Sequence, residues 1–150
     1  MSERILLPTD GERGADRAVE YALELGATLD ATIHALFVVD ETVYTAYSGD
    51  EFVQEHEGPQ AALEAEGEEA LSSLVEAGRD AGVDVETTMR YGRPEEEIVA
   101  AAEEIDADLL VMGSKTRPGD YRQLLGSVSE RVLRLTDRPV TVVKTPEDES

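Results

Sequence analysis

The sequence predicts an α/β domain built on a five-stranded parallel sheet with helices on both faces. Three observations carry this. Short apolar runs alternate with segments of helical period along the whole chain. Runs such as Ala35-Leu36-Phe37-Val38-Val39 and Leu109-Leu110-Val111-Met112 are apolar at consecutive positions, as strands covered on both faces are. Four helical segments join the five strands, which suits right-handed crossovers between parallel neighbours.

The elements follow in order. Arg4–Pro8 is a short apolar strand. Residues 13–29 place Ala15, Ala18, Val19, Ala22, Leu23 and Leu29 on one helical face. Thr32–Val39 reads as a buried strand. Residues 60–81 set Leu63, Ala70, Leu71, Leu74, Gly78 and Ala81 on a second helical face. Val83–Arg90 alternates as a strand. Pro94 opens the next helix at its first turn, where a missing N–H costs nothing, and Ile98, Val99, Ala102 and Ile105 form its apolar side. Ala107–Met112 is the fourth strand. Leu125, Val128, Val132 and Leu135 stripe the last helix, and Pro139–Val143 is the fifth strand. Residues 1–145 are expected to form one domain, and the acidic tail 146–150 to be disordered. The stretch from Asp40 to Gln60 has no clear period and contains Gly49, Gly58 and Pro59. It holds three of the seven aromatic residues (Tyr44, Tyr47, Phe52), and it reads either as a lid or interface, or as an extra helical turn.

Composition narrows the function. One hundred and fifty residues suffice for a domain with its own core. The chain has no cysteine, which removes disulfides and thiolate metal sites. No apolar run approaches the roughly 20 residues needed to span a bilayer, and no secretory signal precedes the first strand, so a cytoplasmic location is expected. Acids outnumber bases 34 to 13, for a net charge of −21. From Arg17 to Arg79 no basic residue intervenes, while fourteen acids do. Such self-repulsion is relieved by salt, which suggests a halophilic cytosol. It also opposes binding to nucleic acid or to an anionic membrane.

One segment departs from that acidity. Residues 113–144 carry seven basic side chains against three acids. Within it, Val111-Met112-Gly113-Ser114-Lys115-Thr116 takes a strand into a Gly-containing basic loop. Residues 117–125 follow, and then Gly126-Ser127-Val128 opens an amphipathic helix. Unpaired N–H groups and the helix dipole at such a start favour a phosphate. Arg131, Arg134 and Arg138 instead read as helix-capping and surface charges. Other phosphate motifs fail. A P-loop needs glycines where Leu109 and Ser114 stand, and no G-x-G-x-x-G follows the first strand. No G-x-S-x-G elbow occurs. A phosphorelay receiver would need an acid beside Asp10. His34 and His56 are too few for a His-rich metal site, and His34, in a strand, reads as structural. On parallel sheets ligands sit at the carboxyl ends of strands, here Thr9-Asp10-Gly11, Val39-Asp40, Tyr91-Gly92 and Gly113-Ser114.

Leu124-Leu125-Gly126-Ser127-Val128-Ser129-Glu130-Arg131-Val132, followed by Arg138-Pro139-Val140, closely resembles the universal stress protein family. So do Ile5-Leu6-Leu7-Pro8-Thr9-Asp10, Ala18-Val19-Glu20-Tyr21-Ala22, and Gly92-Arg93-Pro94 through Ala107–Gly113. The resemblance covers nearly the whole chain and is weakest at 41–60. It implies a Rossmann-like sheet in the order 3-2-1-4-5. It also implies a G-x-x-G, nine-residue, G-S motif that binds adenine nucleotide. Here Thr116 replaces the second glycine of that motif. A position needing positive φ would be strained by threonine, whereas one needing only a close N–H would accept it.

Carried over residue by residue, the resemblance implies that Pro8 and Thr9 shape the pocket wall and that Asp10 accepts from ribose hydroxyls. Val38 offers its backbone to the adenine edge, and Met112 and Gly113 line the ribose. Lys115 and Thr116 lie near the phosphates, and Gly126, Ser127 and Val128 bind them. For Asp10 the competing role is a helix N-cap; for Val38, Met112 and Val128 it is core packing. The expected ligand is ATP, with ADP or AMP as alternatives and Mg²⁺ held through the phosphates. No residue of the inferred pocket is an evident catalytic base, so hydrolysis, if any, would be slow. The family also implies a homodimer through strand 139–143, whose uncharged Val-Thr-Val-Val edge would invite aggregation on a monomer. The alternative function is a nucleotide-free dimerising stress protein that acts through protein contacts. An enzyme acting on an adenylyl compound is a third reading.

Overall fold

The computed structural model describes residues 3–9, 16–40, 53–116 and 127–146. Five strands, β1 (Arg4–Thr9), β2 (Thr32–Asp40), β3 (Val85–Gly92), β4 (Leu109–Thr116) and β5 (Val140–Pro146), form one sheet in the order β3-β2-β1-β4-β5. Every pairing is parallel. The helices are α1 (Asp16–Leu29), α2 (Val53–Ala81), α3 (Pro94–Ile105) and α4 (Ser127–Leu135).

Alternation along the strands sorts the core into two layers. Ile5, Leu7, Ile33, Ala35, Phe37, Val39 and Val111 face one side, under Ala18 and Ala22 of α1 and Leu71 and Leu74 of α2. Leu6, Leu36, Leu110 and Met112 face the other, under Ile98, Ala101 and Ala102 of α3 and Val132 of α4. Both faces of the inner strands are therefore buried, which is why their sequences are apolar without a break. The strand ends are tied locally. The Arg4 N–H donates to Asp108 Oδ2 (2.9 Å), and the Asp108 N–H donates to the Arg4 carbonyl (2.8 Å). At the end of α3, Asp106 takes the left-handed conformation that closes a helix (φ 56°). Arg138 then grips that corner, donating to Asp106 Oδ1 at 3.0 Å and to the Ala107 carbonyl at 2.8 Å.

Strand β3 runs Val85–Gly92 rather than Val83–Arg90 and β4 starts at Leu109 rather than Ala107, and three boundaries differ further from the sequence expectation. Helix α2 starts at Val53 rather than residue 60, running through Gly58-Pro59; a proline removes one backbone donor, and the helix continues past it. Strand β4 does not stop at Met112. It carries on to Thr116, with Gly113 opposite Val143 and Thr116 opposite Pro146. Pro146 thus completes β5 instead of starting a tail. Because β5 extends alongside, it supplies backbone partners that turn the expected loop at 113–116 into strand. Among the described residues no helix is long and apolar enough to cross a membrane.

Candidate functional site

The sheet winds in two directions from β1. The chain passes from β1 to β2 to β3 on one side, then crosses back to place β4 on the other. The carboxyl ends of β1 and β4 therefore flank the point where the winding reverses. Their pairing is short. Among the described residues, Ile5 pairs with Leu109 and Leu6 with Leu110, whereas β1 stays paired to β2 as far as Thr9 with Phe37. Pro8, which has no N–H, contributes no donor to either ladder. Beyond Leu6 and Leu110 no further ladder pair joins the two strands among the described residues, and Pro8 and Thr9 of β1 and Met112 and Gly113 of β4 follow on the carboxyl side of that short ladder.

Helix α4 stands beside β4. The Ser129 hydroxyl, in a residue only 4% exposed, donates to the Gly113 carbonyl at 3.3 Å. This bond pins the first turn of α4 to Gly113, partway along β4. The first-turn N–H groups have no partner within the helix, and they carry the positive end of its dipole. An anion held there would sit beside the strand wall formed by Gly113.

Several of the residues singled out in the sequence converge here. Val38 and Val128 pack on the apolar layer that contains Met112, on the α3–α4 side of the sheet. Alternation from Leu6 puts Pro8 on that side too. Lys115 and Thr116 are strand residues of β4, one in register with Thr145 and the other with Pro146. Ser127 is the first residue of α4. Asp10 and Gly126 lie outside the described residues, as do 41–52 and 117–126. The extended backbone at Thr116 suits a β-branched side chain, so its place in the motif needs no positive φ in this structure.

Charge near the site is only partly free. Arg134 pairs with Glu130 one helical turn away (3.4 Å), and Arg138 serves the corner after α3. Arg131 meets Glu95 of α3 at 3.7 Å, and Glu95 is 8% exposed. The structural roles expected for these arginines are those observed, although Arg131 reaches a neighbouring helix rather than a helix end. The Ser129 and Glu95 contacts escaped sequence reasoning. A polar side chain two positions into an amphipathic helix, on the Val128–Val132 side, was the one available signal for Ser129.

At the carboxyl end of β3, Gly92 has φ +144°, and a Cβ there would lie 2.8 Å from Glu97 Oε2. Glu97 in turn accepts from Arg90 Nε (2.8 Å), and this bond holds the Arg90 pKa above its already high ordinary value. Gly92-Arg93-Pro94 is thus a turn that lets α3 start close against the sheet. His34 lies in β2 with Glu86 3.7 Å away. Burial lowers its pKa below 6.5 against the opposing pull of Glu86, with a smaller lowering contribution from Arg4, in keeping with a structural residue. Among the described residues no group of three acidic or histidine side chains could hold a metal ion.

Comparison with known proteins agrees with this architecture. The model of the universal stress protein family matches residues 1–144. A universal stress protein of Methanocaldococcus jannaschii is 37% identical over 150 residues, covering 98% of this chain and 85% of its own length. The solved structure of the hypothetical protein MJ0577, whose biochemical function was assigned from its structure, superposes with a TM-score of 0.81. It is 28% identical, with 100% of this chain and 99% of that one covered. A universal stress protein from Archaeoglobus fulgidus, solved in complex with dAMP, shares the fold at a TM-score of 0.66 and 20% identity, covering 96% of this chain and 98% of that one.

Proposed function

This chain belongs to the universal stress protein family, and from that premise we propose that it binds an adenine nucleotide at the carboxyl ends of β1 and β4 as a regulatory, stress-response protein. ATP is the preferred ligand, with ADP and AMP as alternatives. The observation that carries the reading is the Ser129 bond that sets the first turn of α4 beside Gly113, next to the point where the strand order reverses. A strand wall and a helix N-terminus there meet at the reversal point of the sheet. Adenine and ribose would lie against Pro8, Thr9, Val38, Met112 and Gly113, with Asp10 accepting from the ribose hydroxyls. The phosphates would run toward Lys115, Thr116, Gly126, Ser127 and Val128, and Mg²⁺ would be held by the phosphates. Binding rather than turnover is the expected activity.

The same reading includes a cytoplasmic homodimer. Strand β5 is a sheet edge, and its Val140–Val143 stretch is half-buried within the monomer. Pairing two such edges would satisfy their open backbone groups. The net charge of −21 supports a protein adapted to high ionic strength. Thr116, standing where the motif has glycine, favours a second reading: a nucleotide-free family member that acts through protein contacts.

Mass spectrometry of the natively purified protein, followed by calorimetry with ATP, ADP and AMP, separates the two. Co-purified adenine nucleotide, or saturable binding, supports the first. Ser127→Asp should then weaken ATP more than tenfold, which is about 1.4 kcal/mol, by placing like charge against phosphate. Asp10→Ala should cost about 1–3 kcal/mol at most. Absence of binding to all three nucleotides, in the native protein and in Thr116→Gly, would establish the second.

A further inference from the structure

Among the described residues, two polar or charged side chains are buried, Glu95 and Ser129. Both hold helix α4. Ser129 ties it to strand β4 through the Gly113 carbonyl, and Glu95 Oε2 ties it to the first turn of α3 through Arg131 Nη1 at 3.7 Å. We propose that the Glu95–Arg131 pair is a positioning device. It sets the N-terminal end of α4 beside β4, and so tunes affinity for the phosphate part of the ligand rather than for adenosine. The proposal rests on the nucleotide reading above.

The argument begins with how little else holds this helix. Nine residues are too few for a helix to persist on its own. Its apolar hold is thin: Val132 is fully buried and Val128 partly, while Leu133 and Leu135 are exposed. A single tether at Ser129 leaves the helix free to pivot about that point. A second tether on a neighbouring helix removes the pivot. The direction of the free N–H groups of the first turn then becomes a fixed property of the fold, as a preorganised anion site requires.

The chemistry of Glu95 fits that role. It follows Pro94, the first residue of α3, so the positive end of the α3 dipole favours its charge. A buried carboxylate needs a partner, and Arg131 is the cation at hand. Arg131 is itself largely exposed, its side chain at 59%. A helical side chain leans over the turn preceding its own Cα, which for Arg131 is the turn beginning at Ser127. Held by Glu95, the guanidinium stays beside the first turn instead of extending into solvent, and it adds positive charge to that end of the helix.

Two variants test this in the full-length protein. Glu95→Gln keeps the shape and removes the charge. Arg131→Gln alters the exposed partner and leaves Glu95 without its cation. In the ligand-free proteins, amide hydrogen exchange over residues 127–132 should quicken in both variants, with the rest of the sheet and α2 unchanged. ATP affinity should fall by roughly three- to tenfold in both, the scale of coupling carried through one packed element, and adenosine affinity should stay within about twofold. Arg131→Lys, which keeps the charge, should retain most of the ATP affinity. Unchanged exchange, an equal loss for ATP and adenosine, or tighter ATP binding in Glu95→Gln would each overturn the proposal. A native protein that binds neither ligand would fail the nucleotide reading itself, whereas native binding that both variants retain would fail this proposal alone.

Discussion

Replacing Thr116 by glycine restores the residue that the nucleotide motif carries, and the structure predicts that this repair gains nothing. Thr116 ends strand β4, in register with Pro146 of β5. Its backbone is extended, the region that β-branched residues prefer and where glycine is weakest. No positive φ is imposed for glycine to relieve. The cost follows from the loss of strand propensity and the added freedom of the unfolded chain, together about 0.5–1 kcal/mol. For a chain of this size that corresponds to a fall in melting temperature of about 1–4 °C. Thermal melting at fixed salt reads the stability term. Calorimetry with ATP reads the ligand term, which should be unchanged or slightly weaker. A tenfold gain in ATP affinity would mean that the bound loop does need the left-handed region, and the reasoning from the extended strand would be refuted.

Four further outcomes follow from the same structure. Gly78→Ala should destabilise the protein, because a Cβ there meets the Val83 carbonyl at 2.9 Å and overlaps Val85 Cγ2. Overpacking of about 1–3 kcal/mol exceeds the ~1 kcal/mol that alanine gains in a helix, so chemical denaturation should show a lower midpoint. His34, with its folded pKa lowered chiefly by burial, binds a proton less readily than in the unfolded chain. Its contribution to stability is complete above 6.5 and is lost as pH falls through the folded value; an NMR titration placing His34 above 6.5 would contradict this. Melting temperature should rise from low to molar salt, as the net charge of −21 is screened; a flat or falling curve argues against self-repulsion as a controlling term. Sedimentation at high salt should show a dimer, and a charge placed in the β5 edge, as in Val142→Lys, should shift it to monomer. A native protein that is monomeric at micromolar concentration would remove the β5 pairing.

The start of the last helix at Ser127 and the packing of Val38 and Val128 were legible in the chain because they are local. The roles of Pro8, Thr9, Met112 and Gly113 came from the family resemblance and belong to the proposal. The reversal in strand order came from a resemblance that spans the chain, and the sheet has that order. What stayed hidden depends on partners distant in sequence. Gly113 to Thr116 reads as a loop in isolation, and only the neighbouring β5 turns it into strand. The stretch 40–60 shows no clear period, yet α2 starts at Val53 and runs through Gly58-Pro59.

The sequence by itself determined the class of fold, the two buried layers, the acidity and the start of the last helix. Periodicity, composition and capping chemistry act over a few residues and need no distant contact to be read. Only the tertiary structure decided how far β1 and β4 stay paired, because those strands are distant in sequence. It also decided which side chains anchor α4. Glu95 and Arg131 are thirty-six positions apart, and Ser129 reaches a carbonyl sixteen residues back. A buried carboxylate finds its cation by packing, and packing is a property of the folded chain rather than of any window along it.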